Sequence, residues 1–293
     1  MFIDIKRHDD WTQKDYFAYK ALSNSDLKLM QDDPLLLRLS KEGKLNRNVS
    51  DAMTLGSAFD DFVLSPHLFK KNWKVIEDGE VPTTDNQKEF VRLIISGFEP
   101  SEAMASAYKK ATMSGEEMYE MFKGFIELSA GSGKISRTMM TKIETMFHNL
   151  QEHEEALRII ADSDHQVCFT GIHEETGVEV KGMLDMLSKD GRFETDLKST
   201  SEKWERIHLN WFKNRGYDTQ RAMYAGLSGA VQTNLLICNT EGRNNAKLFD
   251  VTDHLETATK KLDRLIKEYD YRVLNDAWKH GIYYYSNGGY EYL

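Results

Sequence analysis

Two acidic residues and a lysine stand in a pattern that could bind a metal ion. Asp185 lies near the end of an apolar stretch, 178–187, while Asp196 and Lys198 end the next one, 192–198. β-branched and apolar residues predict a strand for each stretch, and the Asp-Gly pair between them predicts a hairpin turn. Side chains two apart on a strand share a face, so Asp196 and Lys198 point the same way. We therefore expect the three side chains to converge.

Carboxylate oxygens are the hard ligands that Mg²⁺ and Mn²⁺ prefer, and a lysine beside them suits a water molecule or a developing negative charge. The simpler interpretation is that Asp196 and Lys198 form an exposed ion pair, worth under ~1 kcal/mol. Such a pair requires neither Asp185 nor apolar surroundings. The sequence therefore favours a metal site. Glu194 shares the face of Asp196 and lies either behind this site or in solvent.

The order acid, hairpin, acid-x-Lys resembles the pattern of the PD-(D/E)XK nuclease superfamily. Asp185 matches the first acid, Asp196 the second and Lys198 the lysine, while Leu184 stands where the family has proline. The resemblance implies an α/β, restriction-endonuclease-like core with a central mixed β-sheet flanked by helices. It also implies that the backbone carbonyl of Leu197 is a metal ligand.

Gln220 and Tyr224 resemble the Gln-x-x-x-Tyr motif of the RecB-like branch of this superfamily. They are four residues apart in a predicted helix, 216–230, and therefore share a face. The resemblance implies that Gln220 orients the lysine, a water molecule or the DNA strand, and that Tyr224 packs or hydrogen-bonds behind it.

Two N-terminal segments resemble RecE-type phage exonucleases. In 55–66, Asp60 stands in place of a histidine of the family's metal site, and a carboxylate can also bind Mg²⁺. Asp60 is thus an expected ligand, with Asp61 or plain surface exposure as alternatives. In the segment 21–27, the resemblance implies that Ser25 contacts a 5′-phosphate of the DNA. The alternative is that Ser23 or Ser25 is the N-cap of a helix.

The resemblance covers most of the chain apart from about 83–155. It implies an exodeoxyribonuclease of the RecE or lambda-exonuclease type that uses Mg²⁺, with Mn²⁺ able to substitute, and degrades linear duplex DNA from the 5′ end. It further implies a homo-oligomeric ring, a single-strand annealing protein as partner, and a phage or prophage origin. The alternatives are an endonuclease or single-strand nuclease of the same fold, and a DNA-binding module without catalysis.

Composition narrows the class of protein. Hydrophobic residues make up 40% of the 293 residues and charged residues 29%, a globular balance. Two cysteines are too few for a four-thiolate iron–sulfur cluster, and we expect both to be buried. The net charge of −9 argues against DNA binding by the whole surface. Local basic segments can still bind DNA or be solvated helix faces, and the candidates are 109–110, 203–208 and 213–215.

Neither a membrane-length apolar run nor a signal peptide is evident, so we expect a cytoplasmic protein without membrane contact. The periodicity predicts one nuclease domain, 1–293, with a helical insertion at 83–155 whose last helix runs from about Ser136 to Ile160. The insertion could clamp DNA, contact a partner or build the oligomer. Further strands are predicted at 166–172, 232–239 and 246–250, and a long helix at 253–278.

Overall fold

A computed structural model describes residues 1–45, 50–127, 133–241 and 246–278, and the backbone of 283–286 and 289–292. Its helices are α1 (Gln13–Ala18), α2 (Asn24–Asp32), α3 (Pro34–Lys41), α4 (Asp51–Leu64), α5 (Pro66–Asn72), α6 (Asp85–Ile95), α7 (Pro100–Ala107), α8 (Gly115–Glu127), α9 (Arg137–Gln151), α10 (Glu154–Ala161), α11 (Leu209–Asn214), α12 (Tyr217–Ser228) and α13 (Leu255–Leu274). Its strands are β1 (Phe2–His8), β2 (Trp73–Ile76), β3 (Gly133–Ser136), β4 (Ser163–His173), β5 (Glu179–Ser188), β6 (Phe193–Thr200), β7 (Gln232–Asn239), β8 (Ala246–Asp250), β9 (Tyr283–Ser286) and β10 (Gly289–Tyr292).

The chain forms two compact units. The first consists of Met1–Asn48, His153–Asn239 and Ala246–Leu293, and the second of Val49–Glu152 and Thr240–Asn245. The predicted insertion, 83–155, falls almost entirely within the second unit, which also includes α4 and α5. Its role, and the description of the whole chain as one nuclease domain, stay predictions.

A six-stranded sheet forms the centre of the first unit, in the order β1-β4-β5-β6-β7-β8. β6 and β7 run parallel, and every other neighbouring pair in this sheet is antiparallel. The predicted α/β fold with a central mixed sheet flanked by helices is therefore confirmed. The predicted strands at 232–239 and 246–250 match β7 and β8 residue for residue.

The turn between β5 and β6 forms where the Asp-Gly pair predicts it. Gly191 has a φ of +72°, a conformation that glycine adopts without strain. Asp190 Oδ1 accepts hydrogen bonds from the Ser188 hydroxyl and from the Arg192 N–H. These local bonds fix the hairpin, so the two strands that carry the acidic residues run side by side.

Helix α12 packs on the sheet, and the sheet has a glycine where the helix comes closest. An added Cβ at Gly182 would lie 3.0 Å from the Tyr224 ring, closer than side chains normally approach. Apolar residues of α2, α3, α12 and α13 join those of β4 and β5 in one buried cluster. This packing holds α12 against the sheet, and Arg221 of the helix reaches Glu194 and Asp196 of β6.

The helices of the second unit have a core of their own, formed by apolar residues of α6, α7 and α8. The predicted helix from Ser136 to Ile160 is wrong, because it is two helices, α9 and α10. His153 Nδ1 accepts a hydrogen bond from the Ala156 N–H and so caps the start of α10. β3, which pairs in parallel with β2, was not predicted.

Two further expectations can be compared with the structure. Cys168 and Cys238 are both buried thiols, as predicted. No helix in the described part of the chain is long and apolar enough to cross a membrane.

Candidate active site

Asp185 and Leu197 meet where the β5–β6 ladder ends. The ladder pairs Met186 with Thr195 and Leu187 with Glu194. Beyond it, the Leu197 N–H donates to Asp185 Oδ2 at 2.9 Å, so a side chain takes the place of a strand partner. The N–H and C=O of one strand residue point to the same side. The Leu197 carbonyl therefore faces the same gap as the Asp185 carboxylate.

Lys198 places its ammonium group among the three predicted ligands. Its Nζ forms an ion pair with Asp196 Oδ2, lies 3.9 Å from Asp185 Oδ2 and donates to the Leu197 carbonyl at 3.3 Å. The Tyr217 ring centroid is 5.4 Å away. The convergence expected from the sequence is therefore present, and one positive charge lies at its centre.

Two further charges lie behind Asp196, and they were not predicted as site residues. Arg221 Nη2 donates to Asp196 Oδ1 at 2.6 Å, and Nη1 donates to Glu194 Oε2. The side chains of Arg221 and Glu194 are 1% and 0% exposed. Glu194 therefore lies behind the site and not in solvent, which were its two predicted positions. We call Asp185, Glu194, Asp196, Lys198 and Arg221 the site cluster.

Gln220 and Tyr224 share a face of α12, as the motif predicts. Gln220 Nε2 donates to the Tyr224 hydroxyl at 3.2 Å. The Arg221 guanidinium lies 4.7 Å from the centroid of the Tyr224 ring. Tyr224 therefore packs against Arg221 of the site cluster and accepts a hydrogen bond from Gln220.

Burial and mutual repulsion shift the carboxyl groups of the site cluster. Burial, and then the charge of Asp196, raise the pKa of Asp185 to about 6. Burial raises the pKa of Glu194 to about 7 despite the attraction of Arg221. Burial also opposes the charge of Lys198, but Asp196 and Asp185 together outweigh it and raise the lysine pKa. The cluster therefore holds its negative charges at a cost, which added positive charge would reduce.

Comparison with known proteins assigns the family. Residues 23–269 match a family described as a PDDEXK-like domain of unknown function (DUF3799). The chain belongs to this PDDEXK-like family. The superfamily resemblance is thus confirmed, while the RecE or lambda-exonuclease branch stays a prediction.

One solved structure shares the fold of this chain. A protein from Eubacterium rectale, described as a "Putative exonuclease", is 15% identical with a TM-score of 0.58, over 93% of this chain and 89% of that one. At this identity the likeness concerns the fold alone. The structure of SSO0001 is 13% identical with a TM-score of 0.32, over 75% of this chain and 86% of that one, too distant to support an argument. No curated protein matches the chain.

The residues of this PDDEXK-like site fit a hard divalent cation. The Lys198 ammonium already occupies a point that Asp185, Asp196 and the Leu197 carbonyl surround. Three carboxylates against two cations leave the cluster with excess negative charge. Among the described residues, no group of three or more His, Cys, Asp or Glu side chains could hold a metal ion. Two carboxylates suit Mg²⁺ nonetheless, since it commonly keeps several waters and binds substrate phosphates.

Asp60 and Ser25, the other two predicted site residues, lie on α4 and α2. Asp60 is half-buried on α4, in the second unit, and its role as a ligand stays a prediction. Its neighbour Asp61 is buried and accepts a hydrogen bond from Trp73 Nε1 at 2.8 Å. Ser25 is exposed in the first turn of α2 and does not cap it. Ser23 caps the helix instead, and Asp26 completes the capping box. A contact between Ser25 and a phosphate stays a prediction.

The basic segments after β6 are partly neutralised by one acid. Glu202 lies 3.9 Å from Arg206 and 3.6 Å from Arg215. Arg206 is nevertheless largely exposed, so DNA contact by these segments stays a prediction.

Arg221 is the residue that sequence reasoning missed. It follows Gln220 directly, and it is followed in α12 by the buried residues Ala222, Met223 and Tyr224. A charged residue among buried helix positions is rare unless a partner is buried with it. The sequence therefore contained a signal for Arg221, a charged residue among apolar positions of a helix. Its partners in the structure are Glu194 and Asp196.

Proposed function

We propose that the protein is a Mg²⁺-dependent exodeoxyribonuclease that hydrolyses phosphodiester bonds at the ends of linear duplex DNA, from 5′ to 3′. The observation that carries the proposal is the convergence of Asp185, Asp196 and the Leu197 carbonyl on one cationic centre, in a PDDEXK-like chain. The polarity rests on the resemblance to RecE-type enzymes alone.

Each residue of the convergence has a distinct task in this reaction. Asp185, Asp196 and Leu197 would hold the cation, which supplies positive charge beside the scissile phosphate and makes a nearby water more acidic. Lys198 orients the attacking water or stabilises the charge that develops on the phosphate. Gln220, which is hydrogen-bonded to Tyr224, would orient Lys198, the water or the DNA strand.

The proposed partner is DNA, with Mn²⁺ able to replace Mg²⁺. A ring of subunits and a single-strand annealing protein are proposed on the same resemblance, as is a phage or prophage origin.

The proposal is tested with linear duplex DNA labelled at the 5′ or the 3′ end. Wild-type protein is incubated with Mg²⁺ or with EDTA, and Lys198→Ala with Mg²⁺. We expect release of the 5′ label first, no release in EDTA, and a loss of about 10²–10³-fold in the variant, the size of effect seen when one transition-state stabiliser is removed.

Lys260→Ala is the matched control, because Lys260 is an exposed lysine whose ion-pair partner among the described residues is Glu256 on its own helix. It should cleave like the wild type. Release of the 3′ label first would contradict the polarity. No release from either end, with closed circular DNA also intact, would contradict the assignment as a nuclease.

A further inference from the structure

Glu194 and Arg221 form a buried pair to which the proposed reaction assigns no task. Both side chains are excluded from solvent, and they come from β6 and α12. Burying two charges is expensive, and replacing such a pair by apolar residues is often neutral or stabilising. Stability alone therefore does not account for the pair, and its contacts point elsewhere.

Those contacts lead to Asp196. The guanidinium of Arg221 is planar with a fixed fork of donors, and here one fork spans Glu194 Oε2 and Asp196 Oδ1. With Oδ1 engaged, only Oδ2 of Asp196 is turned towards Lys198. Oδ2 is buried and faces the Lys198 ammonium, with which it forms an ion pair. The orientation of the Asp196 carboxylate is thus set from behind.

Glu194 in turn restricts Arg221. It lies on the same strand as Asp196, two residues before it, and it pairs in register with Thr233 of β7. Because Glu194 and Asp196 both hold the guanidinium, Arg221 cannot turn wholly towards Asp196. Its charge is shared, and Asp196 keeps more of its own negative charge for a cation.

We propose that Arg221, held by Glu194, is a positioning residue that makes Asp196 present a single oxygen, Oδ2, to the divalent cation. This inference rests on the cation site of the proposed function. Groups behind metal ligands typically change metal affinity by about 10–100-fold when they are mutated, because they fix the ligand's orientation.

The experiment measures Mn²⁺ binding to the protein without DNA, from the electron paramagnetic resonance signal of free Mn²⁺. Arg221→Lys keeps the charge but cannot reach both carboxylates with a fixed fork, and we expect its Mn²⁺ affinity to fall by about 10-fold or more. Glu194→Gln removes the competing charge, so Arg221 neutralises Asp196 more fully. We expect a smaller fall in the same direction.

Lys261→Met is the matched control. Lys261 pairs with Asp218, which is buried on the same helix as Arg221, at 3.0 Å. Its loss also leaves a carboxylate without its partner, but Lys261 contacts no member of the site cluster in the described structure. Mn²⁺ affinity should match the wild type even if the thermal unfolding midpoint falls.

Cleavage kinetics separate positioning from general damage. In Arg221→Lys the Mg²⁺ concentration for half-maximal cleavage should rise, while the KM for DNA stays unchanged. A purely structural role would lower the unfolding midpoint and leave the affinity of the folded protein for Mn²⁺ unaltered.

The outcomes distinguish the two proposals. Wild-type Mn²⁺ affinity in Arg221→Lys, with the wild type binding normally, overturns the positioning role and leaves the nuclease assignment standing. If Arg221→Lys does not fold, Glu194→Gln decides, and wild-type affinity there overturns the inference. Absence of Mn²⁺ binding in the wild type overturns both the inference and the metal dependence of the proposed function.

Discussion

Two clusters of charged side chains in the first unit differ in burial and in how fully their atoms are paired. The second, which we call the hairpin cluster, consists of His173, Glu175, Asp263 and Lys267, where the β4–β5 turn meets α13. Its Asp263 is 36% and its Glu175 is 66% exposed, whereas Asp196 is 1% exposed. The acids of the hairpin cluster face solvent, whereas Asp185 and Lys198 are 17% and 19% exposed and the other three members of the site cluster are buried.

Pairing separates the clusters further. The buried His173 ring is bonded on both nitrogens, to Thr176 Oγ1 at 2.9 Å and to Asp263 Oδ1 at 3.0 Å. Lys267 lies 3.0 Å from Asp263. In the site cluster, Arg221 Nε is buried without a hydrogen-bond partner among the described residues, and the buried Asp196 Oδ2 meets the Lys198 ammonium in an ion pair.

The difference in pairing gives Asp263 of the hairpin cluster and Asp185 of the site cluster pKa shifts of opposite sign. Burial alone would raise the pKa of Asp263, but hydrogen bonds from Lys267 and His173 outweigh it and the pKa is lowered. The pKa of Asp185 is raised to about 6 because burial and Asp196 outweigh Lys198. A cluster that stabilises its charges serves the fold, and one that leaves them under-neutralised is suited to a ligand.

The largest expected difference between the clusters is in stability. Arg221→Met leaves the buried Glu194 carboxylate without its cation and takes one of two cations from Asp196, so it should lower the free energy of unfolding by about 3–5 kcal/mol. Lys267→Met removes an exposed partner and should lower it by less than about 1 kcal/mol. Urea unfolding of both variants in EDTA measures the difference, and equal losses would remove the distinction between the clusters.

Asp185→Asn should separate activity from stability. We expect Mg²⁺-dependent cleavage to fall by about 10²-fold or more, since even groups behind metal ligands account for 10–100-fold. The thermal midpoint in EDTA should not fall, because the raised pKa means that the folded state disfavours this charge, and asparagine can still accept the Leu197 N–H.

We expect the converse of Asp263→Asn. It should cleave DNA like the wild type, and its thermal unfolding midpoint should be lower. If Asp185→Asn instead destabilised the protein as much as Asp263→Asn does, the assignment of Asp185 as an under-neutralised ligand would be wrong.

The smallest expected effect is a pH dependence in the hairpin cluster. The pKa of Asp263 is lowered by folding from 3.8, so its charge stabilises the folded state above that value. This contribution is lost as pH falls through the lower, folded-state pKa. The stability difference between wild type and Asp263→Asn should therefore be constant near neutral pH and shrink below pH 3.8. Urea unfolding over this range tests it, and a difference that grew on acidification would contradict the assigned sign.

Local pattern was sufficient for much of the site. The Asp-Gly turn and the two-residue period of β6 bring Asp185, Asp196 and Lys198 together, and the four-residue spacing of α12 brings Gln220 to Tyr224. Each relation involves one strand, one hairpin or one helix, so the geometry of regular secondary structure decides it. The split of the predicted 136–160 helix was missed because a histidine is an uncommon N-cap.

The sequence by itself determined which residues could bind a cation, because their spacing within a hairpin is a local property. Only the tertiary structure decided how they are supported. Arg221 and Glu194 are 27 residues apart, in different elements, and they meet because α12 packs across β6. Charged side chains are exposed by default, and burial is possible for these two only because folding brings opposite charges together in the same solvent-free space.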